Sequence, residues 1–286
     1  MMQDLIRIGG VPEHFNLPWL LAMEEGLFEK EGISVSWKDF PGGTGAMARE
    51  LRHGTIDIAL ILTEGIIADI IKGNKSTIIG FYVKSPLTWG VHTSGHNDYK
   101  SPDSIRNKLF AISRWGSGSH LMAYVYAQHQ GWAKDDFNFR VVANLKGARE
   151  ALGYQGANLF LWEKFTTKPL VDTGELRLID SIKTPWPCFV IAVRNEVLAT
   201  KLDEVKRLIQ IIKQRSKEFK DQSNADQLIS ARYGIKEKDA RAWLSATEWE
   251  SSNEIHPEII QEVQKTLKSL GVIHKQRNYD EFCLSI

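Results

Sequence analysis

The 286-residue sequence has only two cysteines, Cys188 and Cys283, far apart and with no His or Cys beside them at metal-ligand spacing. A CxxC redox centre and a zinc site of ordinary spacing are thereby excluded, and no metal ligand set is expected. Two cysteines allow one disulfide by number, but sequence separation says nothing about geometry. The expectation is two reduced, structural thiols. Charge of one sign is missing too. The 36 basic and 35 acidic side chains leave a formal net charge of +1, so there is no electrostatic pull toward nucleic acid or an anionic membrane. Uninterrupted apolar runs are absent: the most apolar stretch, Ile56 to Ile71, is broken by Asp57, Glu64 and Asp69 and cannot span a bilayer. At the N-terminus, Met1-Met2-Gln3-Asp4 leads straight into Leu5-Ile6-Arg7-Ile8. The basic segment, apolar stretch of about 7–15 residues and cleavage site of an export leader are lacking. A lipoprotein cysteine is lacking as well. As it stands the sequence reads as cytoplasmic; it would be periplasmic if a leader had been trimmed.

What remains is ordinary for a soluble globular chain, with 43% hydrophobic and 25% charged residues. The length suits two modest domains. Nine tryptophans are a high count, and such rings commonly line ligand clefts.

Strand and helix signals alternate from the start. Leu5–Gly9 reads as a strand, Leu17 to Lys30 as a helix, Ile33 to Trp37 as a half-buried strand, and Ala46 to His53 as a helix stopped by Gly54. Ile56–Leu62 (strand), Glu64–Lys72 (helix) and Thr77–Val83 (strand) follow. Ser85-Pro86 then breaks the pattern before an extended segment, Leu87 to His92. The same grammar resumes with a short helix, Ser104–Lys108, capped by Ser101-Pro102-Asp103. Strands at 109–113, 139–145, 157–162 and 176–182 alternate with helices at 117–130, 147–154 and 163–172. Thr184-Pro185-Trp186-Pro187 interrupts again before a strand at Cys188–Val193, and everything after Asn195 is helical in pattern. Such alternation argues for parallel sheets with crossover helices. The expected fold is α/β: two Rossmann-like lobes joined by a two-segment hinge, with a C-terminal helical region packed on lobe 1. Lobe 1 comprises residues 1–87 plus 188–286, and lobe 2 is the inserted segment 88–187.

Several stations along this order carry a likeness. Gly10-Val11-Pro12-Glu13-His14-Phe15 and Ala22-Met23-Glu24-Glu25-Gly26-Leu27-Phe28 resemble the first ligand loop and helix of the periplasmic-binding-protein type II superfamily. Gly32-Ile33-Ser34-Val35, Phe40-Pro41-Gly42-Gly43-Thr44-Gly45 and Ile56-Asp57-Ile58-Ala59 resemble later stations of its nitrate, sulfonate and thiamine-pyrimidine (NitT/TauT, ThiY-like) branch. Leu161-Trp162-Glu163 resembles that branch's W-E-P turn, with Lys164 replacing the proline. Residues 11–15, 43–45, 62–64 and 85–89 match most closely a subfamily of fungal and bacterial members, many without export signals. The resemblance implies a monomeric solute-binding protein that closes about its hinge on a small organic ligand, heteroaromatic and pyrimidine-like or anionic. An ABC transporter is the implied partner if the chain is exported.

In this fold ligands sit at strand C-terminal ends, where helix N-termini offer N–H groups and a positive dipole. Gly43 and Thr44 fit such a loop, and equally a tight turn with Thr44 as N-cap. Trp115-Gly116-Ser117-Gly118-Ser119 is the counterpart in the second lobe, with Ser117 or Ser119 able both to cap a helix and to face a ligand. Neither is a Walker or GxGxxG loop. Glu13 could accept from a ligand amino group, and His14 could stack on or hydrogen-bond a ring. Beside them, Phe15 completes the loop the resemblance marks. Thr63 is assigned to the cleft and Glu64 to the helix dipole. Trp89 and Trp186 lie at the two crossings, and Trp162 with Glu163 ends a second-lobe strand; these rings are cleft or core.

The alternative is an enzyme related to the pyrimidine synthase of thiamine biosynthesis, acting on a pyrimidine or its precursor. That enzyme resemblance implies pyridoxal phosphate, a cysteine-rich motif and a Schiff-base lysine before the histidine. Here Arg7-Ile8-Gly9-Gly10 stands where that lysine would be and the cysteines are isolated. No catalytic residue and no cofactor are therefore assigned. Effector domains of transcription regulators share the fold, but the four residues before the first strand hold no DNA-binding helix-turn-helix.

Overall fold

Ile58, Ala59, Leu60 and Ile61 are all fully buried, as a strand must be when both faces of its sheet are covered. They belong to β3 (Ile58–Leu62) of a mixed sheet in a computed structural model that describes residues 5–99, 101, 104, 109–133, 136–252 and 254–286. The other strands are β1 (Ile6–Gly10), β2 (Val35–Asp39), β4 (Ser76–Ser94), β5 (Leu109–Ile112), β6 (Asn138–Val141), β7 (Leu159–Glu163) and β8 (Leu176–Arg194). The helices are α1 (Leu17–Glu24), α2 (Leu27–Lys30), α3 (Thr44–His53), α4 (Thr63–Ile71), α5 (Gly118–His129), α6 (Leu145–Gly153), α7 (Lys168–Asp172), α8 (Asn195–Asp221), α9 (Ala225–Tyr233), α10 (Glu237–Ala246) and α11 (Pro257–Ser269). The fold is α/β, as the alternating pattern requires.

The strands run in the order β2-β1-β3-β8-β4-β7-β5-β6. The purely parallel expectation needs correction. β1 pairs in parallel with β2 and β3, and β5 with β6 and β7, but β8 is antiparallel to β3 and β4, and β4 to β7. Two parallel half-sheets are thus fused through two antiparallel strands.

The expected breaks at Ser85-Pro86 and Thr184–Pro187 also differ. β4 and β8 each run unbroken for 19 residues past those prolines, because register shifts between Val83 and Thr88 absorb them. The sequence signals for separate strands were the two arms of single long ones. Leu17 to Lys30 is split instead into α1 and α2 by Gly26 (φ 66°), a left-handed position that glycine reaches without a Cβ clash. The expected helix at Ser104–Lys108, with its Pro102-Asp103 cap, lies outside the described residues.

The C-terminal helices cover the first half-sheet: α8 packs on α1 and α2, and α11 packs on α4. At the edge of the sheet far from the helix N-termini, Asp57 ties three strands, accepting from Arg7 Nε (2.8 Å), Arg7 Nη2 (2.7 Å) and Arg194 Nη1 (3.3 Å). Cys188 and Cys283 are buried free thiols. No helix among the described residues is long and apolar enough to cross a membrane.

Candidate functional site

The C-terminal ends of β1, β3, β5 and β7 open onto one cleft, as the strand-end rule demands. It spans about 500 Å³ counting open solvent, of which only about 50 Å³ admits the centre of a water-sized molecule, and is walled by Val11, Leu62, Leu87, Trp89, Trp162 and Phe189. Polar groups reach it from both halves: Glu13, Gly43 and Thr44 from the first, Arg114, Ser117, Ser119 and Glu163 from the second.

Two helices begin at this cleft. Gly43 is the N-cap of α3, with φ 65° and ψ −156°, a region in which a side chain would be strained. Thr44 is therefore the first helical residue and not the cap. On the other side Ser117 caps α5, its Oγ accepting from His120 N at 3.3 Å. Among the described residues the N–H groups of Thr44, Gly45, Gly118 and Ser119 have no acceptor within the protein. These are the orphan donors of two helix first turns.

Between them lies Arg114, whose side chain crosses Gly45 so closely that a Cβ there would meet Nε at 1.6 Å. The guanidinium has no hydrogen bond or ion pair among the described residues. Burial lowers its proton affinity, yet a guanidinium keeps its charge. A half-buried cation with no ion pair among the described residues, lining the same cleft as four free N–H groups, is an anion receptor in waiting.

The carboxyls form the opposite pole. Glu163, nearly fully buried, faces Trp89 in the β4–β7 ladder, and its Oε2 accepts from Thr166 N at 2.6 Å. Burial pushes its carboxyl up to about 7. Glu13 is pushed up to about 8, by burial first and by the charge of Glu163 second. Two polar atoms in the cleft wall, Thr44 Oγ1 and Trp89 Nε1, are buried without a partner. Such orphans are costly in an empty protein, and a bound molecule that reached them would offset that cost.

Five expected site residues lie elsewhere. His14 is buried behind the wall, its ring 4.1 Å from that of Trp243 and its Nε2 3.9 Å from Glu163 Oε2. Burial lowers it to about 3, so it is a neutral ring packed by the C-terminal helices. Phe15 is core: its ring backs Phe189 and its carbonyl accepts from Tyr82 Oη (2.6 Å) and Trp249 Nε1 (3.1 Å). Thr63 is fully buried, because its Oγ1 donates to Pro187 O at 2.6 Å; its neighbour Leu62 meets the cleft instead. Trp115 is 63% exposed, the chain having turned Arg114 inward and the next residue out. Trp186 is buried and its Nε1 donates to Glu64 Oε2 at 2.9 Å.

Glu13, Gly43, Thr44, Trp89, Ser117, Ser119, Trp162 and Glu163 do line the cleft. The missed residue of most consequence is Arg114. It lies two residues past the strand at 109–112, so the rule that ligands meet strand C-terminal ends could have found it. Leu87 and Phe189 carried no such signal, being apolar residues like any in the core.

Comparison with known proteins agrees with this architecture. A model of the family described as "Ca3427-like PBP" matches residues 89–182. The structure of the Candida albicans CA3427 gene product, described as defining a new family with the generic periplasmic binding protein fold, superposes with a TM-score of 0.89. It is 30% identical, over 99% of this chain and 96% of that one. The alkanesulfonate-binding protein SsuA from Xanthomonas axonopodis pv. citri, bound to MOPS, gives a TM-score of 0.82 at 14% identity over 99% of both chains. The nitrate-binding protein NrtA from Synechocystis PCC 6803 gives 0.76 at 14% identity, over 99% of this chain and 86% of that one. No curated protein matches in sequence. With 30% identity across nearly the whole of both chains, this protein belongs to the Ca3427-like family of the periplasmic-binding-protein type II fold.

Proposed function

We propose that the protein is a solute-binding protein that captures a small organic anion in the cleft by closure of its two halves. The observation that carries this reading is Arg114, an unpaired guanidinium flanked by the free N–H groups of Thr44 and Gly45 from one half and Gly118 and Ser119 from the other. An anion held there contacts both halves at once, so its binding energy favours the closed state. Trp89 and Trp162 add faces on which a flat ring can lie, which suits aromatic carboxylates and pyrimidines. The moving bodies are residues 1–87 with 188–286, and 88–187. Two structural neighbours support the same reading, one an alkanesulfonate-binding and one a nitrate-binding protein.

A thermal-shift screen of alkanesulfonates, aromatic carboxylates and aminopyrimidines tests it, since a molecule that binds only the folded state raises the melting temperature with concentration. Concentration-dependent shifts, with each hit recovered chemically unchanged, support a binder. No shift with any class overturns the reading, and a hit recovered altered overturns the binder in favour of an enzyme.

A further inference from the structure

We propose that the ligand also carries a protonated amine, which docks between Glu13 and Glu163 while its anionic group meets Arg114. This rests on the anion-binding reading above and narrows it to amphoteric molecules.

The two carboxyls line one cleft but come from different halves, Glu13 from the loop after β1 and Glu163 from the end of β7. Neither forms an ion pair with a Lys or Arg among the described residues; the charge of Lys164 reaches Glu163 only from a distance. Glu163 Oε2 takes the Thr166 N–H, and the nearest basic ring, His14, stands at 3.9 Å, beyond hydrogen-bond reach, with burial keeping it neutral. Among the described residues no hydrogen bond reaches the Glu13 carboxyl. A purely anionic or apolar ligand would leave both carboxyls without a partner in a closing, drying gap, where they must either stay protonated or ionise at a cost. An ammonium placed between them turns that cost into two charge-assisted bonds.

A second observation points to a bonded occupant at the same place. Trp89 is 4% exposed, lines the cleft and stands directly opposite Glu163 in the ladder, yet its Nε1 donor has no acceptor. Thr44 is 6% exposed and its hydroxyl is likewise unpartnered. The wall therefore keeps a donor opposite Glu163 and a hydroxyl elsewhere in the same lining, ready for a molecule with polar groups on more than one end. Burial raises the proton affinity of both Glu13 and Glu163 in the same place.

Isothermal titration with matched pairs tests the amine: 3-aminopropanesulfonate against propanesulfonate, 4-aminobutanoate against butanoate, and 4-(aminomethyl)benzoate against 4-methylbenzoate. In the wild type the amino member of at least one pair is expected to bind about 10- to 100-fold more tightly, the range of a charged hydrogen bond. In Glu163→Gln, whose amide oxygen still accepts from Thr166, and separately in Glu13→Gln, that preference is expected to collapse to within about threefold. Arg114→Gln is expected to weaken both members of a pair alike. Equal binding within every pair, or an amino preference untouched by both Glu variants, overturns the amine while leaving the anion site standing. Failure of every probe to bind overturns both.

Discussion

Pro86 stands opposite Pro187 where the two 19-residue strands β4 and β8 cross between the half-sheets. Neither can donate, so this pair exchanges no ladder hydrogen bond. Nearby donors also look elsewhere: Lys84 N and Ser85 N reach Glu248 O, and Leu87 N reaches Thr184 Oγ1. The pairing is weakest at this crossing, and a bend there disturbs least.

Replacing both prolines with valine returns two donors to the crossing. The expected result is slower amide exchange through Ser85–Thr88 and less compaction in X-ray scattering when a binder from the screen is added. Unchanged exchange together with unchanged compaction would remove the crossing as the hinge.

The two halves are also tied at their rim. Lys236 Nζ lies 2.8 Å from Asp172 Oδ2, and Lys168 Nζ lies 3.6 Å from Asp239 Oδ2, so α7 of the inserted half is tied to α10 and the residue before it. Exposed pairs of this kind contribute about 0–1 kcal/mol each and are screened by salt. Asp172→Asn, or 0.5 M sodium chloride, is expected to speed ligand release by about 2- to 5-fold in stopped flow. A release rate indifferent to both would mean these pairs stay together on opening.

How far the residues foretold this arrangement depended on what kind of signal each gave. Gly54 stopped its helix as a left-handed cap should, and Gly234 and Gly271, also left-handed, stand at the ends of α9 and α11. Isoleucine-rich β3 declared itself buried. The prolines misled, because the same breaker signal marks a strand end or a bulge within a longer strand, and only the partner strand decides. In the site, glycines and serines at strand ends were legible from their position. His14 and Trp186 were not, since a polar atom on a ring says that a partner exists without saying which. His14 turned to Trp243 on a helix more than 200 residues later in the sequence, and Trp186 turned to Glu64. Those partners come from tertiary packing, which no local pattern encodes.

Thr44 and Arg114 separate stability from binding. The Thr44 hydroxyl is buried without a partner, a cost of about 1–3 kcal/mol in the empty protein. Thr44→Val removes that cost, so the unliganded melting temperature is expected to hold or rise while affinity for a screened anion falls about 5- to 10-fold. A lower melting temperature with unchanged affinity would make the hydroxyl structural.

Arg114→Gln makes the complementary case. With no ion pair to break, the variant is expected to fold as the wild type does. Its affinity for sulfonates and carboxylates is expected to fall about 10- to 100-fold, and circular dichroism beside the titration checks both halves of the statement. Retained affinity in a folded variant would move the anion away from the guanidinium.

Glu64 gives the protein a pH dependence that its amide analogue should lack. Its carboxyl is buried, with Oε2 accepting from Trp186 Nε1 and Oε1 unpartnered. Burial pushes it up to about 7 from the ordinary 4.5, against the opposing Trp186 bond. Between those values the folded chain holds a proton the unfolded chain has released, so raising the pH favours unfolding. The contribution is complete below about pH 4.5 and is lost as pH rises through about 7, a change on the order of 3 kcal/mol. Buried His14 and His92, lowered to about 3 and about 4, act in the other direction as pH falls below 6.5. They are the same in both proteins, as are Glu13 and Glu163, so they cancel in the difference between wild type and Glu64→Gln. The glutamine brings an amide N–H₂ to the unpartnered side, a cost that does not vary with pH. Urea melts from pH 4.5 to 8 are therefore expected to show the variant gaining stability relative to wild type as pH rises, by about 2–3 kcal/mol in all. Parallel profiles would mean that Glu64 is as ionised in the folded protein as in the unfolded chain.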